Sequence, residues 1–142
     1  MDQLAVILDF LQEVDQDFPV PVSSKVSLSE LAKKYCECAT LCCEYDNNKI
    51  IAMVAGYTVN TPENIGYISL VATRKAVRRK GLSSSLIKRF LIIAKASGLK
   101  AVHVYTNKTN QHAVRMYQKL GFSFYYPTDE PRPEDIHLLL EF

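Results

Sequence analysis

Asn110-Gln111-His112-Ala113-Val114-Arg115-Met116-Tyr117-Gln118-Lys119-Leu120-Gly121-Phe122 is the stretch on which the fold turns. Ala113, Met116, Tyr117 and Leu120 recur at helical spacing, and Gly121 follows where a helix would stop. The same geometry puts Asn110, Ala113 and Tyr117 on one side, a small residue between two polar ones. A helix with a core tyrosine and an ordinary glycine stop accounts for Ala113, Met116 and Gly121. It gives no reason for Asn110.

Upstream, residues 101–106 read as a β-branched strand. Before them Leu86, Phe90, Ile93 and Ala94 mark a helix that stops at Ser97-Gly98. That helix is entered through Arg78-Arg79-Lys80-Gly81-Leu82-Ser83-Ser84. A glycine there permits close backbone approach, and the first turn of the helix offers unpaired N–H groups. Those donors, the positive helix end and the flanking cations suit a pyrophosphate. A basic turn opening a helix also occurs where no such ligand binds.

Further out, Leu4, Ile7, Leu8 and Leu11 form a helical stripe with Asp2 at its start. Phe18-Pro19-Val20-Pro21 forces an extended connection. Ser27-Leu28-Ser29-Glu30 opens a second helix with Leu28, Leu31, Ala32 and Tyr35 inward. Residues 40–45 and 50–59 read as strands around the turn 46–49, and 65–72 as a third strand after the turn 60–64. Residues 122–126 and 136–142 are the last two strand candidates, separated by a loop through Pro127, Pro131 and Pro133. The order is ααβββαβαββ, with one further strand candidate around residues 20–26. The expectation is an α/β fold in a single domain over residues 1–142, with no linker or repeat.

With 142 residues, 48% hydrophobic and 23% charged, the composition is that of a globular chain with a real core. No run of eighteen apolar residues suggests a membrane span. The start, MDQLAVILDF, lacks the basic n-region of a secretory signal, so the cytoplasm is expected. Cys36, Cys38, Cys42 and Cys43 match no common metal-ligand spacing and read as thiols on a helix end and the next strand; no metal is expected.

Net charge +2 conceals segregation: residues 64–128 contain no Asp or Glu yet hold twelve of the seventeen Lys and Arg. Residues 1–63 carry −6 and residues 129–142 carry −4. The central block should attract a polyanion, either nucleic acid or a phosphorylated cofactor, unless the acidic segments simply fold against it.

Together the two motifs resemble those of the GNAT superfamily of acyl-CoA-dependent N-acyltransferases. Its Arg/Gln-x-x-Gly-x-Gly/Ala pattern is met by Arg78, Gly81 and, imperfectly, Ser83. Its Asn-x-x-Ala-x-x-hydrophobic-Tyr-x-x-x-Gly-Phe pattern is met by Asn110, Ala113, Met116, Tyr117, Gly121 and Phe122. The resemblance covers residues 40–126 well and implies a mixed, mostly antiparallel sheet flanked by helices. It implies acetyl-CoA as acyl donor, an amine acceptor that is a small molecule or a peptide, no nucleic-acid partner, and a monomer or homodimer. The apolar strand 136–142 is the segment that would pair across a dimer.

Carried over by position, the backbone N–H groups of Arg79, Lys80, Gly81, Leu82, Ser83 and Ser84 would cradle the pyrophosphate. Residues 70–73, including Val71, Ala72 and Thr73, would pair with the pantetheine arm as an added strand. Asn110, beside Ala113, would touch the cofactor, and Tyr117 would protonate the leaving thiolate. The hydroxyl of Ser83 would cap the helix or touch phosphate.

In the family's usual reaction a neutral amine attacks the thioester directly, so the enzyme positions both substrates, stabilises the oxyanion through an N–H near Val71, and moves protons. The amine needs a base. In the histone-modifying branch of the superfamily that base is a Glu, eleven residues before the first motif; here the position is Tyr67. Glu63, Glu44, Asp46, His103 and water stay in contention, with Tyr57 and Tyr67 as pocket walls. His103 suits a base near neutrality and equally suits a half-buried strand position. The acidic N-terminal segment leans toward a cationic amine. The competing readings are a catalytically inactive acyl-CoA-binding module and a nucleic-acid-binding domain.

Overall fold

The computed structural model describes residues 2–125 and 132–142. Their elements run α1 (Gln3–Val14), α2 (Leu28–Cys38), β1 (Thr40–Asp46), β2 (Lys49–Tyr57), β3 (Ile65–Thr73), α3 (Leu82–Ala96), β4 (Ala101–Asn107), α4 (Gln111–Lys119), β5 (Ser123–Phe124) and β6 (Asp135–Glu141). This is the expected order. Asp2 and Ser27 start α1 and α2, accepting the N–H groups of Leu4 at 3.2 Å and Glu30 at 3.3 Å. α3 and α4 end alike. Gly98 (φ 85°) and Gly121 (φ 107°) take the left-handed conformation. The N–H groups of Leu99 and Phe122 then reach back to the carbonyls of Ala94 (3.3 Å) and Tyr117 (3.0 Å).

The strands form one sheet in the order β1-β2-β3-β4-β6-β5. Asn47 and Asn48, both at positive φ, close the β1–β2 hairpin. Every neighbouring pair is antiparallel except β3–β4, which is parallel. α1 and α2 cover one face of β1–β3 through Ile7, Phe10, Leu11, Ala32 and Tyr35 on Met53, Ala55 and Leu70. α3 and α4 cover the other face through Leu86, Ile87, Phe90 and Tyr117 on Val54, Ile68, Val102, Val104 and Leu138. No helix among the described residues is long and apolar enough to cross a membrane.

Three expectations fail. The strand candidate at residues 20–26 is a single 3-10 turn, Val22–Ser24. The Asp15 carboxylate folds this segment onto the end of α1, accepting the Ser23 N–H at 2.9 Å and its hydroxyl at 2.5 Å. The strand candidate at 122–126 shortens to Ser123–Phe124, because Phe122 is buried and spends its N–H on the α4 terminus. Tyr126, like Pro127 and Pro131, lies outside the described residues. Lastly, the C-terminal strand is not a bare edge for dimer pairing: β4 pairs along one side of β6, and β5 covers Leu138 and Leu139 on the other.

Candidate active site

The sheet opens between β3 and β4. Their ladder runs from Ile65↔Ala101 to Ile68↔Val104 and stops. Each strand continues, held from outside: β3 by β2 as far as Thr73↔Ala52, and β4 by β6 as far as Asn107↔Asp135. Where the ladder stops, Ser69 is an extra residue on β3, since Ala55 pairs with Leu70 and Gly56 with Ile68. Such a bulge turns the strand aside. A side chain at position 56 would hold the strands apart, because a Cβ there would sit 2.4 Å from the Tyr67 carbonyl oxygen and 2.6 Å from the Phe90 ring. The inner edge of Val71, Ala72 and Thr73 therefore faces a cleft.

The basic turn closes one end of that cleft. Thr73 Oγ1 and Ser83 Oγ lie 2.7 Å apart, and Arg78 Nε donates to the Thr73 carbonyl at 3.1 Å, tying the start of α3 to the end of β3. The Ser83 hydroxyl thus joins strand to helix and does not cap α3. The N-cap is Gly81 at φ 74°, which supplies no side-chain acceptor, so the first-turn N–H groups have no side-chain cap. Nothing lies within 4 Å of where a Gly81 Cβ would be. Arg79, itself at φ 67°, and Lys80 are exposed beside it.

Not all of the basic block faces a ligand. Arg74 is buried, donates to the Ile50 carbonyl at 2.6 Å, and pairs with Asp9 at 3.1 Å and with Glu13. Arg78 pairs with Asp17 at 2.7 Å and Arg89 with Glu44 at 3.1 Å. The acidic segments do fold against the basic face. With Asp15 holding Ser23, half of the ten N-terminal acids, Glu44 among them, are engaged by partners within the molecule.

Asn110 has a plain structural reason that its sequence position did not reveal: its Oδ1 accepts the Ala113 N–H at 3.2 Å as the N-cap of α4. Ala113 is half-buried against the α3–α4 core. Tyr117 is buried, edge-on to Phe122 at 5.3 Å. Burial raises its phenol well above the ordinary range, and the nearby Tyr67 adds to the rise. The phenol stays protonated at any working pH.

Across the sheet from α4, past the cover of α1 and α2, side chains alternating along β3, β4 and β6 build an aromatic face. Tyr67 stacks on Tyr57 (6.4 Å between centroids) and tilts against His103 (5.0 Å). Tyr105 stacks on His137 at 4.2 Å, and Arg132 lies over Tyr105 at 3.9 Å. His103 Nδ1 and His137 Nε2 are 2.8 Å apart. Burial raises the Tyr67 hydroxyl, and Arg132 beside it draws it partly back. Tyr35, reaching in from α2, hydrogen-bonds the Ser69 hydroxyl at 2.6 Å. His103 therefore lies on this aromatic face, paired with Tyr67 just before the ladder ends. Glu63 does not gather there with it: it is exposed in the turn Pro62–Asn64 at the opposite end of β3 from the cleft, at φ 57°. Asp46 is exposed at the β1–β2 turn.

Sequence reasoning missed His137, Arg132, Tyr35 and Ser69. One signal existed: His137 alternates with apolar Ile136, Leu138 and Leu140, which places it on the face opposite the core. Its meeting with His103 depends on the β4–β6 register, which no local pattern encodes.

The sequence model of the acetyltransferase (GNAT) family matches residues 7–122. GCN5-related N-acetyltransferase 6, a chloroplastic protein of Arabidopsis thaliana, is 35% identical over 57 residues, 40% of this chain and 20% of the relative. This chain spans about a fifth of the length of the curated relatives it matches. Among solved structures, a GNAT-family acetyltransferase from Streptococcus pneumoniae has a TM-score of 0.76 at 19% identity, covering 99% of this chain and 94% of that one. A GNAT-family acetyltransferase from Elizabethkingia anophelis, solved with acetyl-CoA bound, has a TM-score of 0.64 at 23% identity, covering 80% of this chain and 82% of that one. By the family match over most of its length, this chain belongs to the acetyltransferase (GNAT) family.

Proposed function

We propose that this chain transfers an acetyl group from acetyl-CoA to a primary amine, on a small molecule or a peptide, by direct attack in a ternary complex. The carrying observation is that the unpaired inner edge of β3 leads straight to the uncapped, basic start of α3. An extended amide-bearing arm ending in phosphates matches both parts: the arm adds as a strand along Val71–Thr73, and the pyrophosphate meets the N–H groups of residues 79–84. Arg79 and Lys80 add charge from solvent, while Arg78 mainly braces the turn.

The reaction forms an N–C bond and breaks the C–S bond, so negative charge develops first on the carbonyl oxygen and then on sulfur. An N–H near Val71 serves the first and Tyr117 the second. With its phenol raised by burial, Tyr117 acts by donating a hydrogen bond to the leaving sulfur as charge grows there. The clustered free thiols at residues 36–43 fit a reducing compartment, so we place the activity in the cytoplasm.

The test is calorimetric titration with acetyl-CoA at low and moderate salt, followed by thiol release with a panel of amines. One-to-one binding that weakens with salt, together with amine-dependent thiol release, is expected. Binding without release would leave an acyl-CoA-binding module, and absence of binding would end the reading.

A further inference from the structure

We propose that His103 and His137 act as one proton-accepting unit for the incoming amine, with His103 nearest the opening and His137 as its positioning partner. The proposal rests on the acetyl-transfer reading above and supplies the base that reading lacks. Their 2.8 Å contact joins two ring nitrogens, so one ring must donate and the other accept. Such a pair is stable neutral or with one added proton. A second proton would set N–H against N–H and break the contact.

Their placement gives the pair a task. His103 sits opposite Tyr67, one position before the β3–β4 ladder ends. Tyr67 tilts against the His103 ring at 5.0 Å, and Tyr117 of α4 is buried in the core on the other face of the sheet. The row Tyr67–His103–His137 thus forms one wall beside the end of the β3–β4 ladder. Among the described residues, the groups around the pair include Tyr67 on β3, Tyr105 on β4, Tyr125 edge-on to His137 at 5.1 Å, and Arg132, which lies 3.8 Å from Asp135. On α2, Lys34 lies over the Tyr57 ring at 5.3 Å. A neutral pair is the form that takes a proton.

The proton balance closes. An ammonium acceptor gives one proton to the pair, the free amine attacks the thioester carbon, and the C–S bond breaks. The amide nitrogen then sheds its remaining extra proton to the thiolate, leaving acetamide, free thiol and a pair carrying one proton that returns to solvent.

The test uses His103→Asn and His137→Gln, which keep a polar atom near the bonded nitrogen and remove the titration. Thiol release from acetyl-CoA is followed from pH 5.5 to 9 with tyramine and with Ala-Ala-Ala, alongside calorimetric acetyl-CoA affinity. Wild type should lose kcat/KM toward acid in a one-proton step. Each variant should lose roughly 10²-fold at pH 7 together with that acid limb, at unchanged acetyl-CoA affinity. Variants that keep wild-type rate and acid limb would overturn the proposal and make the contact structural. So would a wild type that binds acetyl-CoA but releases no thiol with either amine, leaving the cofactor reading intact. No acetyl-CoA binding at all would remove both.

Discussion

A phenol and a carboxylate carry the clearest single-residue expectations. Tyr117→Phe removes the hydroxyl and keeps the ring on Phe122, so thiol release should fall roughly 10²–10⁴-fold with acetyl-CoA affinity nearly unchanged. Steady-state kinetics beside calorimetry would check it, and full activity would take Tyr117 out of the mechanism. Asp15 is held below the usual carboxylate range, chiefly by the Ser23 hydroxyl and then, against its partial burial, by the Ser23 N–H. Its folded value lies below its unfolded value of about 3.9. The stabilisation is therefore present above pH 4 and is lost as pH falls through the lowered value. Urea midpoints at pH 6 and pH 3 should drop more steeply in wild type than in Asp15→Asn. Neither role was equally visible beforehand: Tyr117 announced itself by spacing, whereas Asp15 acts on a residue eight positions away.

Elements were legible where one periodicity ran long enough. The four helices and the strands β1–β4 and β6 follow from apolar stripes and turn residues, within a residue or two at their ends. β5 was overdrawn because Phe122 looks like strand sequence but belongs to the end of α4. The 3-10 turn at Val22–Ser24 was hidden because valines interleaved with and following Pro19 and Pro21 resemble an extended edge. Asn110 shows the limit at a helix start. Its side chain caps α4, so Asn110→Ala should cost about 1 kcal/mol of stability in urea unfolding. If capping is its whole contribution, acetyl-CoA affinity changes by less than about threefold, well under 1.4 kcal/mol. A larger loss would assign Asn110 a direct contact with the cofactor.

Over the whole molecule, charge segregation in sequence became charge pairing in space. Arg74 is the clearest pin, with its guanidinium over the Phe10 ring at 5.5 Å and its acidic partners on α1. Its own N–H reaches the Ile51 carbonyl at 2.8 Å, where a bulge in β2 leaves that oxygen out of the β1 register. Arg74→Ala should cost about 2 kcal/mol, a value reduced because the two carboxylates are half in water. Chemical denaturation would check it, and acetyl-CoA binding should survive. Composition placed twelve cations in one block, but only strand order reveals which of them face solvent near the α3 start. Likewise Tyr57 and Tyr67 stand out in the sequence, and their stacking belongs to strand pairing, while the histidine pair depends on the meeting of β4 and β6.

The short seam between β3 and β4 also makes the chain divisible. A cut at the exposed Gly98 turn would part β1–β3 with α1–α3 from β4–β6 with α4. The two pieces meet across the four residue pairs of the β3–β4 ladder and the apolar layer of Phe90, Val102 and Tyr117. Acetyl-CoA held between them would favour only the joined form, adding about 2.7 kcal/mol at a hundred times its dissociation constant. Co-expressed halves should then associate roughly 100-fold more tightly with the cofactor than without it. Such halves would report intracellular acetyl-CoA as a two-piece sensor, its output set by reassembly instead of turnover.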